Sequence, residues 1–200
     1  MVKEQLRRRG IRDERVLSAF ERVPRHAFAD GLDLGRCYGD HPLPIGCGQT
    51  MSQPYVVAYM LETAAIRQED RVLEIGAGCG YQTALLAELA QEVMALEYHD
   101  RLATPARRRL HRLGYAGIDL RVGDGRLGWP EGGTFDAVIG AAAAPRIPDP
   151  LLDQLAPEGR LVMPLGAGTD QQLVVVRRCS TGFDQRRLLP VRFVPLLGEG

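Results

Sequence analysis

The stretch Val72–Leu89, VLEIGAGCGYQTALLAEL, decides the fold class of this chain. An apolar run ends in a cluster of glycines, and the cluster opens onto residues with helix-like spacing. This pattern is typical of a strand-to-helix turn that receives a nucleotide-like ligand. The dinucleotide fingerprint has glycine at its first, third and sixth positions, whereas this chain has Gly76, Gly78 and Gly80. The displaced third glycine leaves two ligand classes open, a phosphate-rich dinucleotide and a nucleoside without phosphates. The rest of the chain must distinguish between them.

Around this turn, short apolar runs alternate with helix-like segments, as expected of parallel strands joined by helical crossovers. The predicted strands are Val72–Ile75, Val93–Leu96, Ile118–Val122, Phe135–Ile139 and Arg160–Pro164. The helix before the last of these is expected to end near Pro157-Glu158-Gly159. Two further runs, Gln171–Arg178 and Arg186–Val194, are joined by CSTGFDQ and predict an antiparallel hairpin. The fold class is therefore α/β, a mostly parallel doubly wound sheet with a C-terminal antiparallel hairpin.

The region before the sheet predicts helices and one long loop. Residues 3–30 have helix-like spacing that is interrupted at Pro24. Residues 35–54 contain three prolines and show little periodicity. Long structured loops in compact domains are usually binding or active-site elements. A helix is predicted again over residues 55–65. We expect one domain, in which residues 1–65 carry the N-terminal helices and a substrate loop and residues 66–200 form the cofactor-binding core.

Composition excludes several classes of function. The 200 residues are 45% hydrophobic and carry a formal net charge of +0, so nothing directs the whole molecule toward nucleic acid or an anionic membrane. The four cysteines are scattered without a C-x-x-C pair, which predicts neither a zinc site nor a disulfide framework. No apolar run has the length of a signal peptide core or a membrane span. These features predict a cytoplasmic protein with no metal site.

Ligands of open α/β sheets lie beyond the carboxyl ends of the strands. Glu97 follows the second strand, about 20 residues beyond the glycine turn, where a carboxylate accepts hydrogen bonds from ribose hydroxyls. Asp124 and Gly125 follow the third strand, and Glu74 precedes the glycine turn. Acids without a basic residue at the turn argue against a phosphate-rich ligand and favour a positively charged nucleoside such as S-adenosylmethionine. The motif E-x-G-x-G-x-G with a downstream acid resembles the cofactor turn of Rossmann-like class I methyltransferases. The alternative is a tight turn flanked by solvated acids.

The loop and its flanks resemble a more specific family. The stretch DHPLPIGCGQTMSQPYVVAYMLE at residues 40–62 is similar to the signature of protein-L-isoaspartate O-methyltransferases, although Met51 stands where that family usually has isoleucine. Four further stretches resemble the family in order and spacing, so the resemblance covers essentially the whole chain. They are QLRRRGIRDERVLSAFERVPRHAF near the N-terminus, GDGRLGW at 123–129, AAAAPRIPDPLLDQLAPEGRLVMPLG at 141–166 and VRFVPLLG at 191–198.

The resemblance implies transfer of a methyl group from S-adenosyl-L-methionine to the free carboxylate of L-isoaspartyl residues in damaged proteins and peptides. A carboxylate is ionised at neutral pH and can act as its own nucleophile, which agrees with the absence of a Ser-His-Asp or Cys-His arrangement. Ser52, together with Thr50 and loop N–H groups, is predicted to orient the carboxylate oxygens. The alternative is that both hydroxyls are N-caps of the helix beginning near Pro54.

Two rival functions stay open at this point. One is a methyltransferase of a related type acting on RNA or on an aspartate in a modified peptide, and the other is a non-catalytic cofactor-binding module. The four histidines share no ligand spacing and are predicted to be surface or loop residues. The basic stretch ARRRLHR, Ala106–Arg112, has an apolar stripe at helical spacing, so its arginines are expected mostly on a solvated face. We expect a monomer that binds neither nucleic acid nor membrane.

Overall fold

A computed structural model describes residues 1–198 and contains one central sheet with helices on both faces. The strands of this sheet are β3 (Arg71–Ile75), β4 (Glu92–Glu97), β5 (Asp119–Val122), β6 (Phe135–Gly140), β7 (Leu155–Ala167), β8 (Asp170–Cys179) and β9 (Gly182–Pro190). Their order is β5-β4-β3-β6-β7-β8-β9. The first five strands in this order pair in parallel, and β8 and β9 add to β7 in antiparallel fashion. The predicted fold class is confirmed.

The sheet is preceded by a small hairpin and by helices. The hairpin strands are β1 (Leu43–Gly46) and β2 (Gln49–Met51), and the α-helices are α1 (Glu14–Arg22), α2 (Leu34–Cys37), α3 (Pro54–Ala64), α4 (Tyr81–Ala87), α5 (Asp100–Arg112) and α6 (Asp149–Asp153). Short π or 3₁₀ turns occupy Val2–Leu6, Arg7–Arg9, Arg25–Phe28 and Gly125–Leu127. The predicted helix near residues 55–65 is present as α3. The hairpin inside the predicted 35–54 loop is a feature that the sequence did not indicate.

Two hydrophobic clusters cover the two faces of the sheet, and the period-two alternation of a strand assigns residues to them. Leu73 and Ile75 of β3 belong to the cluster that contains α6, while Val72 belongs to the larger cluster that contains α1, α3 and α4. Glu74 shares the face of Val72 and bonds to α4. A carboxylate is thereby buried under a helix, close to the carboxyl ends of the strands.

Helix α6 ends and β7 begins earlier than the sequence predicted. The helix was expected to reach residues 157–159, yet it ends at Asp153, and β7 already begins at Leu155. The cause is pairing with β6, because Phe135 pairs with Leu155 across a register shift and its N–H donates to the Gln154 carbonyl at 2.8 Å. Glu158 in this irregular stretch has a φ of +62°. Long-range strand pairing therefore overrides the local helix signal.

The C-terminal hairpin is confirmed with a tighter turn than predicted. Strand β9 was expected over Arg186–Val194, whereas it spans Gly182–Pro190, and Cys179 pairs with Gly182. Beyond Pro190 the chain leaves the sheet edge, and both Gln171 amide atoms hydrogen-bond the backbone of Phe193. The closing segment is therefore directed back across the sheet toward the glycine turn.

Candidate active site

The glycine turn after β3 exposes backbone to a pocket at the carboxyl ends of the strands. Gly76, Gly78 and Gly80 have φ values of +89°, +56° and +88°, conformations that side-chain-bearing residues rarely adopt. A Cβ on Gly78 would lie 2.9 Å from Cδ1 of Ile45, which belongs to the β1–β2 hairpin. The hairpin therefore lies directly against the turn, and a side chain on Gly78 would displace the end of the Ile45 side chain.

Glu97 fixes this turn from the end of β4. Its side chain is buried, Oε2 accepts a hydrogen bond from the Gly78 N–H at 2.8 Å, and Oε1 accepts one from the His99 N–H at 2.9 Å. A carboxylate oxygen has capacity for two hydrogen bonds. Each oxygen can therefore accept one more donor, as recognition of ribose hydroxyls would require.

Glu74 lies deeper on the same side of the pocket. It is fully buried, and it accepts hydrogen bonds from Gln82 Nε2 at 3.0 Å and from Thr83 Oγ1 at 2.5 Å. Burial raises the pKa of this carboxyl from 4.5 to about 7, against the opposing effect of the two hydrogen bonds. At neutral pH Glu74 is therefore only partly ionised, and Glu97 is the better placed of the two to complement a positive charge.

Asp124 and Gly125 follow β5, as predicted, but their roles in the local structure differ. Asp124 is the N-cap of the Gly125–Leu127 turn and forms an ion pair with Arg126 at 2.8 Å. Gly123 and Gly125 line the pocket, and a Cβ on Gly125 would lie 2.3 Å from Cγ2 of Ile75. The backbone around Asp124 therefore forms part of the pocket wall, while its carboxylate contacts Arg126.

Ser52 and Thr50 both line the pocket, at the junction between β2 and α3. Among the described residues, neither hydroxyl has a hydrogen-bond partner. The N-cap of α3 is Gln53, which makes no side-chain capping bond. The Tyr55 N–H in the first turn of α3 instead donates a hydrogen bond to Asp40 Oδ1 at 3.3 Å. The capping alternative for these hydroxyls is therefore wrong, and both remain free to bind a ligand.

Three contributions to the site were missed from the sequence. His99, predicted to be a surface or loop histidine, is half-buried and lines the pocket, and within residues 1–198 its buried Nε2 has no hydrogen-bond partner. Arg109, expected on a solvated face, is buried and donates to the Cys79 carbonyl at 3.1 Å, which supports the glycine turn. The closing segment 194–197 also lines the pocket. His26, His41 and His111 are exposed, as predicted.

The closing segment is held over the pocket by backbone hydrogen bonds to the loop after β6. The Ala143 N–H donates to the Val194 carbonyl at 2.8 Å, and the Leu196 N–H donates to the Ala143 carbonyl at 2.7 Å. Ala141 and Ala142 of the same loop line the pocket as well. The small alanines therefore let two chain segments meet at the rim without filling the space between them.

The chemistry of the lining selects among ligands. No lysine or arginine belongs to the described lining, whereas the carboxylates of Glu74 and Glu97, the unpartnered hydroxyls of Ser52 and Thr50 and an apolar rim do. A ligand with several phosphates would lack the positive partners that it needs, while a cationic nucleoside would meet the two carboxylates. The lining comprises residues 45, 49–52, 57, 74–79, 81–82, 96–99, 123, 125, 141–142 and 194–197.

A second groove opens beside this pocket and shares Thr50, Ser52, Ala141 and Val194 with it. The rest of its lining comprises Pro42, Gln53, Val56 and residues 190–193.

Within residues 1–198, no group of three or more His, Cys, Asp or Glu side chains is placed to hold a metal ion. In the same range, no helix is both long and apolar enough to cross a membrane.

Known proteins are similar to this chain over its full length. The sequence model of the protein-L-isoaspartate(D-aspartate) O-methyltransferase family matches residues 1–200. A protein-L-isoaspartate O-methyltransferase 1 of Syntrophobacter fumaroxidans is 49% identical over 199 residues, which is 100% of this chain and 93% of the relative. One of Methylorubrum extorquens is 52% identical over 98% of this chain and 86% of its own length.

A solved structure gives the same similarity in three dimensions. A Plasmodium falciparum crystal structure, described as a protein-L-isoaspartate O-methyltransferase in complex with S-adenosyl-L-homocysteine, superposes with a TM-score of 0.87. Its sequence is 26% identical, and the match covers 98% of this chain and 96% of that one. The similarity therefore includes the N-terminal helices and the closing segment as well as the sheet.

Proposed function

The chain belongs to the protein-L-isoaspartate(D-aspartate) O-methyltransferase family, and from this membership we propose which of its residues carry out the reaction. The protein is an enzyme that uses S-adenosyl-L-methionine to methylate the free carboxylate of L-isoaspartyl residues in damaged proteins and peptides. The proposal concerns how the pocket holds the two reactants. The observation that carries it is the convergence of two carboxylates and the Ser52 and Thr50 hydroxyls on one pocket whose described lining contains no lysine or arginine.

The cofactor half of the pocket consists of the glycine turn, Glu97 and the wall around Gly125. S-adenosylmethionine supplies a methyl group on a positively charged sulfur, and the electrons of the broken sulfur–carbon bond stay on the sulfur. Glu97 is proposed to accept the ribose hydroxyls, because each of its oxygens already holds one backbone donor and has room for another. Gly76 and Gly78, which line the pocket, are proposed to let the ligand approach the backbone, and Gly80 is proposed to keep the turn close to α5, where a Cβ would lie 3.2 Å from Cδ1 of Leu110. Glu74 adds partial negative charge below them.

The unpartnered Nε2 of His99 supports this assignment. A buried polar atom without a partner costs free energy unless a ligand or water satisfies it. His99 lies at the start of α5, two residues after Glu97, and lines the same pocket. We place it against the bound nucleoside, on the same side as Glu97. We propose that Asp124 contributes to the cofactor site through the backbone of the turn that Asp124 caps, as Gly125 does.

The substrate half consists of Ser52 and Thr50. An isoaspartyl carboxylate is already ionised at neutral pH, so it needs orientation rather than a base. Two free hydroxyls can donate hydrogen bonds to its oxygens and direct a lone pair toward the methyl group. Alignment of this kind can contribute about 7–11 kcal/mol to a barrier. The remaining substrate chain is proposed to lie in the second groove, which begins at these same two residues.

The hairpin and the closing segment are proposed to limit access of water to the reacting pair. Ile45 covers the glycine turn, and Val194–Leu197 covers the opposite rim. Exclusion of water strengthens the attraction between a carboxylate and a sulfonium. The groove between the two covers has the alanines of the loop after β6 at its base, which leaves space for a polypeptide substrate.

The wider organisation is also a proposal. Residues 1–65 and 66–200 are proposed to form one domain, because the larger hydrophobic cluster contains residues from the N-terminal helices and from the helices on the sheet. A cytoplasmic location is proposed from the four cysteines, which are all free. We propose that the protein is a monomer that acts on damaged proteins. We also propose that it does not bind nucleic acid, because its net charge is +0.

The proposed function is tested by selectivity between two isomeric peptides. An L-isoaspartyl peptide should be methylated by labelled S-adenosylmethionine, while the same sequence with normal L-aspartate should react at least about 100-fold more slowly, because its carboxylate is displaced along the backbone. RNA and a peptide without acidic residues are the control substrates. Equal rates for the two isomers, or methylation of RNA, would contradict the proposal.

A further inference from the structure

Arg25 is a buried cation without a carboxylate partner. Its side chain is 0% exposed and is among the largest fully buried side chains of the described chain. None of the ion pairs within residues 1–198 includes it, and burial lowers the pKa of its guanidinium. Burying an unpaired charge is costly. A residue of this kind is retained at a cost to stability, so its contacts should explain why it is there.

The guanidinium binds backbone carbonyls in two separate segments. Nε donates to the Cys37 carbonyl at 2.9 Å, and Nη2 donates to the Ser52 carbonyl at 2.9 Å. Its Cζ also lies 4.9 Å from the centroid of the Tyr81 ring. Tyr81 begins α4 directly after the glycine turn and lines the pocket together with Ser52. One planar group thus joins the end of α2, the substrate loop and the cofactor helix.

The bond to the Ser52 carbonyl has a direct geometric consequence. Ser52 lies outside β2 and α3, and no backbone hydrogen bond of a helix or strand holds it. The Arg25 bond therefore fixes the peptide plane from which the Ser52 hydroxyl extends. A guanidinium has five donors in a rigid fork, whereas a lysine ammonium is a single point that cannot hold two separated carbonyls in the same way.

We infer that Arg25 is a positioning residue for methyl transfer: by holding the Ser52 carbonyl against the Cys37 carbonyl and the Tyr81 ring, it sets where the Ser52 hydroxyl meets the substrate carboxylate. This inference rests on the proposed role of Ser52. It assigns a contribution to methyl transfer to a side chain that does not line the pocket.

Arg15, which is exposed whereas Arg25 is buried, provides a control for the loss of a bridge between two carbonyls. It also donates to two backbone carbonyls, those of Ile66 and Leu89. Neither carbonyl belongs to a residue of the pocket lining. Arg15→Lys therefore removes the same kind of two-carbonyl bridge away from the site, and it should leave the rate of methyl transfer unchanged.

The test is a double-mutant cycle on the full chain, with Arg25→Lys, Ser52→Ala and the combined variant. Single-turnover methylation at saturating isoaspartyl peptide should fall between about 5-fold and 100-fold for Arg25→Lys, with the affinity for S-adenosylhomocysteine changed by less than about threefold. In the Ser52→Ala background, Arg25→Lys should cause no further loss of rate. An equal loss in both backgrounds, or no effect of either single substitution, would overturn the inference.

A readout without turnover separates this inference from the proposed function. Hydrogen exchange should become faster in the segment around Ser52 for Arg25→Lys but not for Arg15→Lys, whatever the substrate of the enzyme is. If the wild-type protein does not methylate the peptide while this exchange difference is present, the proposed function fails and the positioning contact stands. Unchanged exchange around Ser52 overturns the contact itself. If Arg25→Lys does not fold, Arg25→Gln replaces it, and failure of both to fold would assign Arg25 to stability instead of positioning.

Discussion

Replacement of Glu74 by glutamine should change how the stability of the protein depends on pH. The carboxyl is fully buried and its pKa is raised from 4.5 to about 7 by that burial. Below pH 4.5 the group is protonated in both the folded and the unfolded chain. Between 4.5 and 7 only the folded chain keeps the proton, so the free energy of unfolding decreases as the pH rises through this window. Above 7 both states are ionised and the decrease is complete.

The size of the effect follows from the pKa difference. A difference of one pKa unit corresponds to about 1.4 kcal/mol, so the window from 4.5 to 7 corresponds to on the order of 3 kcal/mol. Glutamine is neutral at every pH. Its carbonyl oxygen can accept from Gln82 while its amide can donate to the Thr83 oxygen, so the two contacts that Glu74 makes have substitutes.

The assay is urea unfolding at several pH values from 4.5 to 8.5 for the wild-type protein and for Glu74→Gln. The stability of the wild type relative to the variant should decrease by on the order of 3 kcal/mol across this range, because ionising the buried carboxyl is penalised only in the wild type. Glu92→Gln, the same substitution at a half-exposed position on β4, is the control. A difference between wild type and Glu74→Gln that is independent of pH, or that grows in favour of the wild type as pH rises, would refute the reasoning.

The other substitutions concern the two halves of the pocket. Glu97→Gln should weaken S-adenosylhomocysteine binding by about 1.5–3 kcal/mol in calorimetry, since the amide places a donor where an N–H or ribose hydroxyl needs an acceptor; an unchanged affinity would remove Glu97 from the site. Ser52→Ala should lower single-turnover methylation by about 10–100-fold, corresponding to one orienting hydrogen bond, with little change in thermal unfolding because Ser52 does not cap α3. A lowered melting temperature with an unchanged rate would reverse that assignment.

The parts of this molecule that were predictable from sequence are those set by local spacing. The glycine turn at residues 76–80, the strand before it and the acid at Glu97 follow from short-range patterns, because a buried parallel strand and a tight turn each restrict residue type within a few positions. The resemblance to a known family added the substrate, which composition and periodicity do not specify.

The features that were not predictable depend on contacts between distant segments. The β1–β2 hairpin is a local exception, because its turn carries Gly46 and Gly48, with φ values of +94° and +70°, but its strands of four and three residues are too short to show a period-two pattern. The burial of Arg109 depends on packing of α5 against the glycine turn. The closing segment reaches the pocket because Gln171 and Ala143, both distant from it in sequence, hydrogen-bond its backbone. No window of sequence contains both partners of such a contact.

The central claim is that Ser52 and Thr50 orient an isoaspartyl carboxylate toward a methyl donor held by Glu97 and the glycine turn. A crystal structure with S-adenosylhomocysteine and an L-isoaspartyl peptide measures this directly. The account predicts a Ser52 or Thr50 hydroxyl within hydrogen-bond distance of the carboxylate, about 2.5–3.0 Å, with ribose hydroxyls on Glu97 and the peptide chain in the groove beside Ala141. A carboxylate bound away from both hydroxyls, or a ribose without contact to Glu97, would contradict it.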